Sequence, residues 1–79
     1  MYLSELAPFE SARVLSIKLP HAKKVRLMEM GMIPGETVTL HRAVYGGDPI
    51  VVALRGYRLL IPRGDASYIT VRKIEKEKG

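Results

Sequence analysis

The fold is decided by the stretch RLMEMGMIPG, residues 26–35. A run of good helix formers ends at Gly31, which is where a stopping helix needs a residue that accepts a positive φ. Pro34 and Gly35 then form the central pair of a type II turn, because proline presets φ and glycine accepts the positive φ that follows. Before the stretch the apolar period is helical, and after it the period is two. We therefore expect this structural joint to connect one helix to a small sheet.

Two elements are predicted before the joint. Residues 12–19 form a strand with imperfect alternation, which fits partial cover on both sides. Pro20 ends this strand, because proline has no N–H to donate to a ladder. Residues 21–30 form an amphipathic helix with basic residues away from its apolar stripe. The stripe consists of Ala22, Val25, Leu27, Met28 and Met30.

Four short strands are predicted after the joint, over residues 36–44, 50–55, 57–61 and 69–74. Glycine turns separate them, and Asp65 is expected to cap a helical turn over residues 66–68. Many short strands in a small chain are typical of a partly closed antiparallel barrel, which protects its strand edges. The expected core consists of Val14, Leu27, Met30, Val38, Leu40, Ile50, Val52, Leu54, Leu59, Ile61, Ile69 and Val71.

The chain has 79 residues, which we interpret as one domain over residues 1–74 and a charged tail over residues 75–79. It has no cysteine, and no apolar run approaches the roughly 18 residues of a membrane span. The N-terminus lacks a basic segment followed by a long apolar one, so we expect a cytoplasmic protein. The net charge of +5 favours an anionic partner, although the basic residues are spread along the chain.

No catalytic motif is present in the sequence. Neither His21 nor His41 has a serine and a carboxylate at the spacing of a nucleophilic triad, and no glycine motif for phosphate binding occurs. The weak candidates for a metal site are His21, His41 and Asp48, but nothing in their spacing requires a metal. The sequence thus predicts a binding module without a cofactor, and not an enzyme.

The motifs together resemble the ferrous iron transport protein A (FeoA) family from Leu3 to Val71. The residues that carry the resemblance are Arg26–Leu27, Met30–Gly31–Met32, Pro34–Gly35, Gly46–Gly47–Asp48–Pro49–Ile50, Gly56, Ala66 and Ile69–Thr70–Val71. The resemblance implies a mainly β fold, a small SH3-like five-stranded barrel with one helix between strands 1 and 2. This fold is similar to the C-terminal domain of iron-dependent repressors of the diphtheria-toxin-repressor type. The chain departs from the family at Phe9, near which a glycine is usual, and at Ile61–Pro62–Arg63.

The resemblance also implies a role in bacterial or archaeal ferrous iron uptake, beside a large membrane permease that carries a cytosolic GTP-binding domain. We expect the chain to dock on the cytosolic part of that permease. The candidate partner-binding residues are Lys23, Lys24, Arg26, Met32 and Tyr45, with both Met32 and Tyr45 expected to be exposed. Two alternatives stay open: a nucleic-acid-binding SH3-like barrel, and a regulatory module related to iron-dependent repressors.

Overall fold

The computed structural model describes residues 1–43 and 45–75. Its helices and strands are β1 (Ser11–Ile17), α1 (His21–Glu29), β2 (Thr37–Ala43), β3 (Ile50–Leu54), β4 (Tyr57–Ile61), α2 (Arg63–Ala66) and β5 (Ile69–Ile74). The five strands form one antiparallel sheet in the order β4-β3-β2-β1-β5. The predicted helix between strands 1 and 2 and the predicted five strands are confirmed. No helix among the described residues has the length and apolar character needed to cross a membrane.

Several predicted element boundaries differ from the structure by one or two residues. The larger error concerns α2, which begins at Arg63 after Pro62, so Asp65 lies inside this helix and does not cap it. The side-chain acceptor at its start is Asp48, whose Oδ1 accepts the backbone N–H of Arg63 at 2.9 Å. A loop residue distant in sequence therefore caps α2, a relationship that local sequence patterns do not reveal.

The imperfect alternation of β1 has a structural cause. The pairing of β1 with β5 shifts register between Val14 and Ser16, which is the signature of a β-bulge. The bulge brings Ile17 onto the same buried side as Ala12 and Val14. Strict alternation along residues 12–19 predicts Ile17 on the face opposite to Ala12 and Val14, and this prediction is wrong because the alternation does not continue through a bulge.

The sheet wraps around a single apolar core. Leu59 and Ile61 of β4 and Ile69 and Val71 of β5 belong to one buried cluster, although these strands are the two edges of the sheet. All predicted core residues are buried except Met30, which is half-buried against the cluster. The structure adds to this core Leu3, Leu6, Ala12, Ile17, Met32 and Ala66.

The two edge strands are treated differently. Met1 and Tyr2 lie along β5, where the carbonyl of Met1 accepts the N–H of Val71 at 2.8 Å and Tyr2 bridges to Thr70. The N-terminus thereby covers backbone groups that would otherwise invite pairing with another chain. The side chains of α1 and α2 flank β4 instead, and they form a groove described below.

Candidate interaction surface

The end of α1 is a Schellman motif. The N–H of Gly31 donates to the carbonyl of Met28, and the N–H of Met32 donates to that of Leu27, both at 3.0 Å. Gly31 has a φ of 97°, so the predicted positive φ is confirmed. The two bonds satisfy carbonyls that the end of a helix otherwise leaves unpaired. They fix the direction in which the chain leaves α1.

The predicted turn after the motif is also confirmed. Its i to i+3 bond joins the N–H of Glu36 to the carbonyl of Ile33 at 3.0 Å, with Pro34 second and Gly35, at a φ of 94°, third. The N–H of Gly35 donates to the carbonyl of Val14 in β1 at 2.8 Å. The turn is thus attached to the sheet, and it holds the C-terminal end of α1 beside it.

Two methionine assignments are wrong. Met32 was expected at the surface, but its side chain is fully buried, so it is not available to a partner. The reason is the Schellman motif, which folds the residue two after the helix cap back onto Leu27, the start of the last turn. Met28 was assigned to the apolar stripe of the helix, but it is 38% exposed on α1.

A groove lies between α1 and the β4–α2 segment. Its volume is about 220 Å³. The helix contributes the apolar Leu27 and Met30 and the basic Lys23 and Arg26, while the opposite wall consists of Leu60, Ile61, Pro62 and Asp65. Leu60 is 65% exposed, which is unusual for a leucine on an otherwise well-packed strand. The groove therefore combines an apolar floor with basic residues at its rim.

The basic residues predicted on α1 differ in their surroundings. Lys23 forms an ion pair with Asp65, with Nζ 3.1 Å from Oδ1, which links α1 to α2 across the groove. Such an exposed pair contributes little to stability. Arg26 is exposed and has no ion-pair partner among the described residues, whereas Lys24 is half-buried and does not line the groove. Arg26 is thus the charged group of this surface best placed to bind an external carboxylate.

The other predicted site residues do not gather into one place. His41 in β2 packs edge-on against Phe9, His21 begins α1, and Asp48 caps α2. Within residues 1–43 and 45–75, no three histidine, cysteine or acidic side chains form a group able to hold a metal ion. The side chain of Tyr45 lies outside the described part of the chain, so its expected exposure stays a prediction.

Phe9 occupies a position that favours glycine. It is the third residue of a turn closed by the N–H of Glu10 and the carbonyl of Ala7 at 3.0 Å, and its φ is 68°. The carboxylate of Glu10 accepts the N–H of Ala7 and pairs with Lys73. The hydrogen bond from Lys73, followed by that from Ala7, lowers the pKa of Glu10 below its ordinary value. The departure from the family at Phe9 thus leaves the backbone turn intact.

Sequence reasoning missed a set of basic residues that the sheet brings together. Four of the seven arginines lie in the strands on its outer face, and a fifth lies in the β3–β4 turn and lines the same depression, although all five are scattered along the chain. These are Arg13, Arg42, Arg55, Arg58 and Arg72, all of them exposed. The outward positions of Arg13, Arg58 and Arg72 in their strands were the available signal. We call this set the arginine face.

The fold and these surfaces define a small β domain with an exposed apolar groove and a basic face. The chain matches the FeoA domain model over residues 1–73, so it belongs to the FeoA family. A search of curated proteins finds no match.

The solved structures that this chain is similar to include the following three. The solution structure of FeoA from Chlorobium tepidum shares 35% identity, with a TM-score of 0.92, over 100% of this chain and 75% of that one. The zinc complex of Stenotrophomonas maltophilia FeoA, described as a procaryotic SH3 domain protein, shares 33% identity over 90% and 88% of the two chains, with a TM-score of 0.75. IdeR from T. acidophilum shares 25% identity over 94% of this chain and 34% of its own, with a TM-score of 0.81. The predicted family and SH3-like fold are confirmed.

Proposed function

We propose that the chain is a small cytoplasmic accessory protein of ferrous iron uptake, which docks on the cytosolic part of a GTP-binding ferrous iron permease at the inner face of the membrane. Membership in the FeoA family supports the link to ferrous iron transport. The role is binding and not catalysis. The docking surface in this proposal is the groove between α1 and β4.

The exposure of Leu60 beside a preformed groove carries this proposal. Specific interfaces are centred on apolar pockets, with polar and charged residues around them. Leu60 and Met30 supply the apolar contact, and Met30 is an adaptable side chain that can repack against a partner. Arg26 at the rim supplies a fork of donors for a carboxylate. Charge at the rim accelerates encounter, and the apolar contact slows dissociation.

The proposal can be tested by uptake of radioactive ferrous iron in cells whose own copy of the protein has been removed. Two groove variants, Leu60→Ser and Arg26→Glu, are each compared with a matched change elsewhere, Leu15→Ser and Lys18→Glu. Leu15 is a suitable control because it is also an exposed leucine on a strand, and it does not line the groove.

We expect the groove variants to reduce uptake and the control variants to sustain it. Parental uptake by both groove variants, expressed and folded like the parent, overturns the groove as the docking surface. Equal losses in groove and control variants also overturn it, because they show that any surface change at exposed leucines and basic residues has the same effect.

A further inference from the structure

The arginine face is organised in rows across the sheet. In one row, Arg58 lies opposite Ala53, Ala53 opposite Thr39, and Thr39 opposite Ser11. Small side chains therefore occupy the middle of the face, and the hydroxyls of Ser11 and Thr39 are hydrogen-bonded at 2.7 Å. The result is a shallow depression of about 680 Å³ over β2, β3 and β4, lined on one side by Arg55 and Arg58.

The charge of this face is almost uncompensated. Arg55 forms an ion pair with Glu36, with Nε 3.0 Å from Oε1. The other four arginines have no ion-pair partner among the described residues. All five basic residues of the face are arginines, although the chain has almost as many lysines. Arginine binds carboxylates and phosphates through two parallel hydrogen bonds, which a lysine cannot do.

The positions of Arg13 and Arg72 are unfavourable for the fold in the absence of a partner. They are direct cross-strand partners in the pairing of β1 with β5. Like charges directly opposite each other destabilise an antiparallel pair, whereas an acidic residue at either position would stabilise it. A bound anionic group between the two side chains removes the repulsion. The pair is therefore explained by a partner more readily than by folding.

The neighbouring row indicates the kind of partner. Arg42 lies opposite Val51, and Val51 lies opposite Leu60, so an exposed leucine borders the basic face. Surfaces that bind single-stranded nucleic acid present aromatic rings for the bases to stack on. The aromatic side chains of this region are engaged within the chain: the hydroxyl of Tyr57, which lines the depression, donates to the carbonyl of Met30, and His41 packs edge-on against Phe9. Basic and aliphatic side chains together fit a polypeptide with acidic and apolar residues.

We propose that the arginine face is a docking surface for an acidic polypeptide segment, whose carboxylates pair with the arginines and whose apolar residues contact Leu60. The inference rests on the proposed function only in that the chain acts by docking. It adds a second contact surface and defines the chemistry of what binds there. The face meets the groove at Leu60, so one partner can extend over both surfaces.

The test uses the full chain and three labelled probes, with binding followed by fluorescence anisotropy over a range of salt concentrations. The first probe is a peptide of alternating glutamate and leucine. The second is the same peptide with glutamine in place of glutamate. The third is a single-stranded oligonucleotide that carries the same number of negative charges as the first. No permease is present in this binding assay, so it tests this inference alone. The proposed function is tested separately by the uptake of ferrous iron.

Three of the four variants remove one positive charge each. Arg13→Gln and Arg58→Gln change the arginine face, Arg58→Lys keeps the charge but loses the fork, and Lys18→Gln removes a charge elsewhere. We expect each face variant to weaken binding of the glutamate peptide about three- to tenfold, with Lys18→Gln within about twofold of the parent. The affinity of Arg58→Lys for the glutamate peptide should lie between that of Arg58→Gln and that of the parent.

A second readout separates binding from folding. Arg13→Gln should raise the thermal midpoint by about 1–8 °C, since it removes the repulsion with Arg72, while it weakens peptide binding. Equal losses in face and control variants overturn the inference, because bulk charge then explains the binding. Tighter binding of the oligonucleotide than of the glutamate peptide also overturns it, and assigns the face to nucleic acid. Absence of binding to the glutamate peptide overturns it as well.

Discussion

The structural joint at Gly31 leads to a sharp prediction about stability. A Cβ added at Gly31 would lie 2.7 Å from the Oη of Tyr57, a separation that requires one of the two groups to move. Gly31 also has a φ of 97°, which side-chain-bearing residues rarely adopt. The hydroxyl of Tyr57 donates to the carbonyl of Met30 at this same place. Gly31→Ala therefore introduces backbone strain and displaces a hydrogen bond.

The two costs can be separated. The positive φ costs roughly 1–2 kcal/mol for a residue with a Cβ, and the lost hydrogen bond about 0.5–1.5 kcal/mol. Gly31→Ala should thus destabilise the protein by about 1.5–3.5 kcal/mol. For a chain of this length the free energy of unfolding is about 4–12 kcal/mol, so the loss is measurable and leaves the protein folded in most of that range.

The measurement is a double-mutant cycle in chemical denaturation, with Tyr57→Phe as the second change. Tyr57→Phe removes the oxygen that the new Cβ would meet, so Gly31→Ala in that background should cost only the backbone strain. We expect a coupling free energy of about 0.5–1.5 kcal/mol between the two changes. Gly31→Asn should be tolerated better than Gly31→Val, because asparagine accepts positive φ more readily. If Gly31→Ala lowers the free energy of unfolding by the same amount in both backgrounds, the contact with Tyr57 does not contribute to the cost and the reasoning is refuted.

Three further predictions concern the core, the pH dependence and metal binding. Met32→Ala should cost about 2–5 kcal/mol in chemical denaturation, since it opens a cavity at a fully buried site; a loss below about 1 kcal/mol contradicts the packing. The pKa of Glu10 is lowered, first by the hydrogen bond from Lys73, so this carboxylate stabilises the fold fully at pH values above its ordinary pKa. The stabilisation is lost as the pH falls through the lowered pKa. Glu10→Gln should therefore flatten the acid side of the stability curve, and an unchanged acid side contradicts the ion pair. Anaerobic calorimetry with ferrous iron should show no tight site, and a stoichiometric sub-micromolar event lost in the His21→Ala/His41→Ala variant overturns that expectation.

Local sequence chemistry predicted the fold well where one residue type is required for a conformation. Gly31 and Gly35 both adopt the positive φ that the sequence demanded, and proline at the second position of the turn completes the pattern. The turn between β3 and β4 follows the same logic, with both Arg55 and Gly56 at positive φ, as a tight two-residue hairpin needs. These features depend on neighbours along the chain, and a single sequence contains them.

The surfaces could not be predicted as well, because they depend on pairing between distant residues. Met32 is buried because the Schellman motif folds it back onto the helix. The glycine at position 31 implied this burial, whereas the position of Met32 after the end of the helix suggested exposure. Arg13 and Arg72 are far apart in the chain, and only the register of β1 with β5 sets them opposite each other. Leu60 reads as an ordinary strand residue until the position of α1 is known.

Binding to the permease itself tests the docking account most directly. The full-length permease in lipid nanodiscs is immobilised, and the dissociation constant of the parent chain is compared with those of Leu60→Ser, Arg26→Glu and their controls Leu15→Ser and Lys18→Glu. The account predicts saturable binding by the parent, an increase of about tenfold or more in the dissociation constant for each groove variant, and values near the parental one for both controls. No saturable binding by the parent, or equal affinities for the parent and the groove variants, would contradict it.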